Sequence, residues 1–404
     1  MRSLCATVLA LAAAAPLAAS DAWLDAAERA LTFTAMREEF RARLTGTLTA
    51  EGYAMSRPTP GLVYTESRTQ FTPRLTLFAD AQLGSSLSGF AQMRVDRGFD
   101  PSNGPLRGRI DELAVRWTPW RDGRFNLQVG QFGTVIGNWV PRHDPRDNPF
   151  VTAPLPYEHL TTLHDAEIPS SPADLAEFED PEKYEYLPLI WGPVYSSGVA
   201  VAGKLGRFTL AAELKNTGPS AHPHDWSIKR TGFEHPAFAA RLGFRPELRW
   251  NLGVSFSDSI YLLPNVAKSL PAGRTRGDYR QRMFGADLCF AWRHLQVWAE
   301  YFDAYFDVPR VGKVRSNSGY VEGKYKFTAQ LYGALRLNAQ GFSRIVIAPG
   351  VAERWARDIR RVDVVVGYRF TAHTDAKLQA SVEDHRDLAK RANLNGAAQF
   401  NVRF

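Results

Sequence analysis

Two segments of this chain place histidines beside carboxylates, the residue types that bind metal ions and transfer protons. In the stretch "HPHD", two imidazoles and one carboxylate lie within four positions, from His222 to Asp225. So tight a spacing could hold a metal ion, but Pro223 separates the imidazoles and the setting is that of a loop. The sequence therefore favours a solvated loop here, and we expect no metal and no cofactor.

The segment 138–194 contains the other residues that could do chemistry. Its histidines and one neighbouring acid are His143, Asp144, His159 and His164. Ser/His and Asp/His groups of this kind hydrolyse ester and peptide bonds. No compact Gly-x-Ser-x-Gly motif or His-Ser pair accompanies them. We therefore expect that the protein is not an enzyme.

The first 20 residues have the pattern of an export signal. Arg2 precedes an apolar run from Ala6 to Ala15, and Ala18-x-Ser20 has the small residues of a cleavage site. We predict a signal peptide at residues 1–20. After it, Cys289 is the one remaining cysteine, so the exported chain would form no internal disulfide. An exported chain of this kind suits a bacterial envelope.

Composition excludes two classes of protein. Apolar residues make up 45% of the chain, yet no later run reaches the roughly 18 apolar residues of a transmembrane helix. The formal net charge of +7 is modest for 404 residues and is not concentrated in a basic tract. We therefore expect neither helical membrane spans nor a nucleic-acid partner.

Polar and apolar residues alternate along nearly the whole chain, as in strands with one wet and one apolar face. In "RLTLFADAQLG", Leu75 and Leu77 fall on one face, and Arg74 and Thr76 on the other. Short turns are predicted near 84–86, 121–123, 205–207, 246–248, 293–294, 327–329 and 371–375. Longer loops are predicted near 56–69, 97–108, 138–194, 217–234, 259–278, 307–316, 341–359 and 385–391. Seven turns and eight loops join 16 strands, an even number typical of bacterial outer-membrane barrels.

A soluble β-sandwich would alternate in the same way, but the aromatic residues favour the barrel. On the predicted apolar face, ten of them lie close to a short turn or to the chain end: Trp117, Phe244, Trp250, Trp292, Tyr301, Tyr325, Phe327, Tyr368, Phe370 and Phe404. Folded as hairpins, they would form a girdle at one membrane interface. We predict an all-β fold, a transmembrane antiparallel β-barrel of 16 strands.

The end of the chain, "GAAQFNVRF", keeps this alternation to Phe404. An open sheet edge in lipid would leave backbone amides unpaired. We therefore predict that the last strand pairs with the first, near residues 40–54. A terminal phenylalanine on such a strand also resembles the C-terminal recognition signal of outer-membrane barrels.

The longest predicted loop, 138–194, exceeds the length at which loops are usually functional or disordered. Its first part, "GNWVPRHDPRDNPFVTAPLPYEHL", is rich in proline and turn-forming residues, which suits an ordered segment folded into the lumen. Its second part, "DAEIPSSPADLAEFEDPEKYEYLP", is strongly acidic. We expect the acidic part at the mouth of the barrel.

In strand count, loop order, export signal and C-terminal phenylalanine, the chain resembles the bacterial porins. Their third outer loop follows the fifth strand and narrows the lumen, and the loop 138–194 has that position. The stretch "VGQFGTVIG", from Val129 to Gly137, is similar to the strand end before this loop in the phosphate-selective porin O/P family. The basic cluster of that family's pores is not recognisable in this loop.

The resemblance implies a water-filled channel in the bacterial outer membrane, surrounded by lipid and often a homotrimer. Small hydrophilic solutes or ions would cross it by passive diffusion. The sequence then divides into a signal peptide (1–20), a short periplasmic or lumen-side segment (21–35) and the barrel (36–404). An enzymatic barrel, of the phospholipase or protease kind, and an adhesive or structural barrel are the alternatives.

Nine side chains are predicted to line the pore or its constriction: Arg74, Arg94, Arg116, Trp139, Arg142, His143, Arg146, Arg241 and Arg336. The predicted inward faces carry more basic than acidic residues. A positive wall in a low-dielectric channel concentrates anions. We therefore predict a weak anion preference.

Overall fold

The computed structural model describes residues 21–35, 39–57, 67–98, 104–177, 185–385 and 392–404. The predicted signal peptide, residues 1–20, lies outside these ranges, and so does the stretch 178–184 of the long loop. No helix within the described ranges is long and apolar enough to cross a membrane.

The described residues form three short α-helices and 21 strands. The helices are α1 (Ala22–Ala30), α2 (Pro172–Ala176) and α3 (Ile228–Thr231), and short 3-10 helices lie at Val140–Arg142, Leu155–Tyr157, Pro223–Asp225, Pro264–Ser269 and Arg276–Asp278. The strands are β1 (Thr32–Ala35), β2 (Phe40–Met55), β3 (Thr69–Leu83), β4 (Leu87–Asp96), β5 (Arg107–Trp117), β6 (Asn126–Phe132), β7 (Leu160–His164), β8 (Tyr186–Pro188), β9 (Ser196–Leu205), β10 (Phe208–Lys215), β11 (Ala237–Phe244), β12 (Trp250–Ile260), β13 (Arg280–Trp292), β14 (Leu295–Val308), β15 (Gly312–Lys326), β16 (Leu331–Phe342), β17 (Arg344–Ala348), β18 (Val351–Arg354), β19 (Ile359–Arg369), β20 (Thr374–His385) and β21 (Ala392–Arg403).

Sixteen of these strands close into an antiparallel barrel: β2–β6, β9–β16 and β19–β21. The closure joins β21 to β2, from Arg403 opposite Thr47 to Asn395 opposite Met55. Phe404 and Gly46 then exchange two backbone hydrogen bonds of 2.8 and 3.0 Å. The predicted 16-strand barrel, closed by its last strand, is confirmed.

Side chains alternate between the two faces of the wall, and the outer face is apolar. Val254 is 56% exposed, whereas Ser255 beside it on β12 is 7% exposed and faces the interior. Leu210, Leu242, Val364 and other large apolar residues are exposed in the same way along their strands. An apolar band around a closed barrel replaces contact with water by contact with lipid.

Aromatic side chains pair with one another near the short turns, as the predicted girdle requires. The ring centroids are 6.2 Å apart for Trp117 and Phe125, 5.0 Å for Phe208 and Phe244, 4.5 Å for Trp250 and Phe290, 5.3 Å for Tyr325 and Phe327, and 5.0 Å for Tyr368 and Phe370. We call this rim of the barrel the short-turn end and the opposite rim the long-loop end.

The prediction of a long loop near 307–316 is wrong. β14 continues to Val308 and β15 begins at Gly312, so a three-residue turn at 309–311 joins them. At Tyr301 of β14, which is 49% exposed, the large apolar side chains still face outward. Beyond it, Phe302 and Phe306 are fully buried inside the barrel, so the apolar face of the strand turns inward. On the outside of the same stretch, Arg315 donates to Asp303 at 2.6 Å. The polar residues that suggested a loop therefore belong to the outer face of an extended hairpin.

The N-terminal segment lies against the short-turn end. β1 pairs with the beginning of β2, Thr32 opposite Arg43. Helix α1 buries Leu24, and its Asp25 lies 2.9 Å from Nε2 of His373, in the turn between β19 and β20. The segment is thus attached to β2 and to the turn between β19 and β20.

The main apolar cluster lies inside the barrel, between the loop 133–195 and the upper inner faces of β12–β16. Loop residues such as Ile136, Leu189 and Ile190 pack there with Phe302 and Phe306 of β14. This half of the lumen is therefore filled by side chains. The polar half lies on the side of β2–β5.

Candidate functional site

The loop after β6, described at residues 133–177 and 185–195, enters the lumen directly after that strand. Gly137 has φ +70, a backbone conformation that favours glycine, and an added Cβ would contact both Glu300 and Tyr157. Two 3-10 helices follow, each with proline in its first turn, at Val140–Arg142 and Leu155–Tyr157. The rings of Trp139 and Tyr157 lie 4.6 Å apart and hold the two helices together.

Glu300 of β14 anchors the start of the loop. It accepts hydrogen bonds from the backbone N–H groups of Asn138 and Trp139, the latter at 3.1 Å, and from the Tyr157 hydroxyl at 2.8 Å. On β15, Glu322 pairs with Arg142, whose other nitrogen donates to the Tyr320 hydroxyl at 2.9 Å. The loop is therefore fixed to the inner wall opposite its own strand.

A second set of anchors comes from β16, β19 and β20. Arg336 donates to the Thr152 carbonyl at 3.0 Å, and Gln379 accepts from the Val151 N–H at 2.7 Å. Lys377 donates to the Asn148 carbonyl at 2.8 Å. Charged side chains of the wall thus satisfy loop backbone groups, which would otherwise be buried without partners. These wall side chains hold the loop in position, and the loop covers them.

Burial has a strong effect on the ionisable groups of this loop. It raises the pKa of Tyr157 well above the usual tyrosine value, and the nearby Glu300 carboxylate adds to the effect. Burial opposes the charge of Arg142, but Tyr320 and Glu322 beside it raise the pKa of Arg142 above its ordinary value. Both groups therefore keep one protonation state, with a neutral phenol and a charged guanidinium.

A cavity of about 80 Å³ remains between the loop and the wall of β2–β4. On the wall side it is lined by Tyr53, Arg74 and Arg94. Its loop side includes Trp139, His143, Asn148, Val151, Thr152, Ala153, Tyr157 and Glu158. This is the narrow, polar part of the lumen, and we call it the constriction cavity.

The arginines of the wall are paired with acids. Arg94 lies 2.9 Å from Asp111, and Arg74 lies 3.5 Å from Glu51 and 3.6 Å from Asp96. Arg109 joins the group, at 2.6 Å from Asp96 and 2.7 Å from Asp111. Three guanidinium groups therefore face three carboxylates, and this ladder has no formal net charge.

A second, basic group lies below the loop, near the short-turn end. A cavity of about 20 Å³ is lined there by Arg146 of the loop, Arg369 of β19, Arg403 of β21 and Asp375 of β20. Three guanidinium groups against one carboxylate leave a formal charge of +2. We call this group the basic vestibule.

The acidic part of the long loop lies at the long-loop end. A cavity of about 240 Å³ is lined by Glu167, Asp174, Glu177 and Glu185, together with Val308 and Pro309 at the tip of the β14–β15 hairpin. The described acidic residues are therefore at the mouth, where the sequence predicted them. The stretch 178–184 lies outside the described residues.

The nine predicted pore residues fall into four groups. Arg74, Arg94, Trp139 and His143 line the constriction cavity, and Arg146 lines the basic vestibule. Arg142, in the loop itself, and Arg336, in the wall that the loop covers, are both buried and paired with Glu322. Arg241 pairs with Asp287 at 2.6 Å, and Arg116 bonds to Gln128 at 2.7 Å toward the short-turn end.

Sequence reasoning missed Arg109 and Asp111 because β5 contains a bulge. Gln92 pairs with Glu112 and Met93 with Ile110, so Asp111 has no partner residue in the ladder. The extra residue shifts the inward and outward positions of the first half of the strand. A strict two-residue alternation, counted from Arg116, therefore assigns these positions to the wrong face.

The histidines of the loop have structural contacts. Nδ1 of His143 lies 2.6 Å from the Val140 carbonyl, and its Nε2 contacts the Tyr195 hydroxyl. Both ring nitrogens are therefore engaged in holding the loop. The Tyr195 hydroxyl also accepts a hydrogen bond of 3.3 Å from Gln92 of β4.

Several solved structures with the same fold are outer-membrane porins or channels. The chain superposes on Salmonella typhi OmpF in complex with daunomycin with a TM-score of 0.58, 9% identity and coverage of 92% of this chain and 100% of that one. The chain shares the porin fold. For the outer membrane channel DcaP of Acinetobacter baumannii the TM-score is 0.57, with 11% identity and coverage of 92% and 99%. For an anion-selective porin from Comamonas acidovorans it is 0.56, with 8% identity and coverage of 91% and 100%.

Sequence comparison adds no closer relationship. No protein-family model matches the chain, and no curated protein matches its sequence. The predicted likeness to the phosphate-selective porin O/P family therefore stays a prediction, while the porin fold itself is established.

Proposed function

We propose that this protein is a porin of the bacterial outer membrane, through which small hydrophilic solutes and ions diffuse passively. The observation that carries the proposal is the course of the loop 133–195 across the lumen. Its hydrogen bonds to Glu300, Arg336 and Gln379 hold it against the wall of β14–β20 and leave the constriction cavity beside β2–β4. A polar passage inside a barrel whose outer face is apolar can conduct ions and small solutes across a membrane without any further component.

The width of the constriction favours small solutes. Its cavity, about 80 Å³ in volume, is the narrow part of the lumen between the loop and β2–β4. The arginines and acids on its wall side are held in ion pairs with one another, so they offer a permeating ion little net charge. Pore width would then dominate the selection among neutral solutes.

We retain the predicted anion preference, and we expect it to be weak. The basic vestibule, with its formal charge of +2, supports it. The ladder of Arg74, Arg94 and Arg109 contributes little, because each guanidinium has a carboxylate within 3.6 Å. The acidic residues at the mouth oppose it.

Solute release from liposomes tests the proposed function. Liposomes reconstituted with the folded protein should swell in arabinose or glycine at a rate that increases with the amount of protein. Swelling should become much slower with a trisaccharide. Liposomes that stay sealed to arabinose, or that lose their phospholipid to hydrolysis, would contradict the proposal and favour a structural or an enzymatic barrel.

The homotrimer implied by the resemblance to porins also stays a proposal. Mass measurement of the detergent-solubilised protein by light scattering tests it. A mass of three chains is expected, and a mass of one chain would contradict it.

A further inference from the structure

A cluster of ionisable side chains lies at the long-loop end, away from the constriction cavity. Asp165 follows β7 in the long loop, and His222 and Asp225 belong to the segment after β10. One nitrogen of His222 and one carboxylate oxygen from each aspartate lie within 4.8 Å of one another. All three residues are at most 4% exposed. The sequence interpretation of this stretch as a solvated loop is therefore wrong.

The hydrogen bonding of the cluster is incomplete. Nδ1 of His222 lies 2.6 Å from the Asp165 carboxylate. The other ring nitrogen, Nε2, is buried without a hydrogen-bond partner, and so is Oδ2 of Asp225. Buried polar atoms normally have partners, because losing water without a replacement costs free energy. A carboxylate that holds one nitrogen of a histidine and leaves the other available is a common arrangement around bound metals.

A further imidazole lies at the edge of the cluster. Nε2 of His224 is 3.2 Å from Oδ2 of Asp225, and the His222 and His224 rings stack at 5.3 Å. The His224 side chain is 42% exposed, which gives an ion a route from solvent. Arg230 lies 3.0 Å from Oδ1 of Asp225, so the two carboxylates and one guanidinium leave the cluster with a formal charge of −1.

We propose that a divalent metal ion of the zinc class binds to Nε2 of His222 and to Asp225, with His224 as a third donor and Asp165 orienting the His222 ring. Imidazole and carboxylate together suit zinc and its neighbours, whereas calcium and magnesium prefer oxygen ligands throughout. A divalent ion would supply the partner that the buried atoms lack and would neutralise the two carboxylates.

The site would join two separate segments of the outer mouth, because Asp165 holds the ring of the ligand His222. Asp165 belongs to the loop that narrows the lumen, while His222 and Asp225 belong to the segment between β10 and β11. The same two segments already contact each other. The backbone N–H of Trp191 donates to the Pro219 carbonyl at 2.7 Å, and the Trp191 ring lies 4.8 Å from the ring of His222. The metal would therefore stabilise the inserted loop, whichever solutes pass the pore.

Zinc titration of the folded, untagged full-length protein tests the site. After chelator treatment in detergent, calorimetry should give one zinc ion per chain, and cobalt(II) should give visible absorption bands that zinc abolishes. His222→Ala and Asp225→Asn should each weaken zinc binding at least tenfold. His235→Ala, which removes a histidine of the same segment outside the cluster, should bind zinc as the unmodified chain does.

Three results would overturn the proposal. The first is that the unmodified protein binds no zinc, and the second is that it binds calcium in preference to zinc. The third is that the His222→Ala and Asp225→Asn variants bind zinc as tightly as the unmodified protein. The measurements on the unmodified protein decide the question even if a variant does not fold. A second readout is the midpoint of thermal unfolding, which zinc should raise for the unmodified protein and for His235→Ala but not for Asp225→Asn.

Discussion

Single side chains decide which charges a permeating ion meets. Arg336 and Lys377 point into the barrel, yet the loop covers them and its carbonyls accept their hydrogen bonds. The charge that remains accessible comes from the constriction ladder, which is balanced, and from the basic vestibule, which is not. A count of basic residues on the inward faces therefore overstates the field in the pore.

Removing charge from the vestibule should change ion selectivity. In the double variant Arg146→Gln and Arg369→Gln, the formal charge of this group falls from +2 to 0, and the weak anion preference should disappear or reverse. The measurement is the reversal potential in a tenfold KCl gradient centred near 0.1 M, where the Debye length is about 10 Å. Arg124→Gln, in the short turn before β6 and paired with Asp122, is the matched control and should leave the potential unchanged. An unaltered potential in the double variant would remove the vestibule from the account.

The inserted loop is the element on which the proposed function depends, and Tyr157 is its central contact. The ring packs on Trp139 and edge-on to Phe302 at 5.9 Å, and the hydroxyl donates to Glu300. Replacing a buried aromatic ring of this size by alanine removes packing worth roughly 3–5 kcal/mol. Because these contacts join the loop to β14, the loss should loosen the constriction first.

Tyr157→Ala should therefore raise single-channel conductance and current noise, and it should expose the loop to trypsin. Tyr157→Phe keeps the ring and loses one hydrogen bond to a charged group, worth about 1.5–3 kcal/mol. Its effect on conductance should be distinctly smaller. Equal effects of the two substitutions would mean that packing does not hold the loop.

The elements differ in how well the sequence predicts them. Strand number, the short turns and the pairing of the last strand follow from a two-residue period that lipid enforces on one face. The period fails at the bulge at Asp111 and on β14 beyond Tyr301, where the wall leaves the apolar band and its inner face turns apolar. The position of the loop was predictable from its length and composition, but its contacts were not, because Glu300 and Tyr157 are 143 residues apart in sequence.

At the scale of the whole molecule, the outer apolar band gives the barrel its place in a membrane. Val254, in the middle of β12, is 56% exposed on the outer face. Val346, on the β17 hairpin beyond the barrel wall, is 66% exposed as well. The exposed fraction of the side chain does not distinguish the two positions. In a membrane, however, Val254 would contact lipid and Val346 would contact water.

Val254→Arg should destabilise the folded barrel in lipid by roughly 2–4 kcal/mol, the cost of an arginine near the bilayer midplane. Val346→Arg should have little effect, because the hairpin meets water. Folding yield into vesicles and the heat-dependent shift in gel migration measure both. Equal destabilisation of the two variants would mean that the band is not the lipid-facing surface.

The loop folded inside this barrel should leave a narrow aqueous path through the membrane. Single-channel recording in a planar lipid bilayer measures the current through that path. We expect discrete current steps that increase linearly with voltage at low potentials and with salt concentration, and larger steps for Tyr157→Ala. A folded, membrane-inserted protein that carries no current, and whose Tyr157→Ala variant carries none either, would contradict the account.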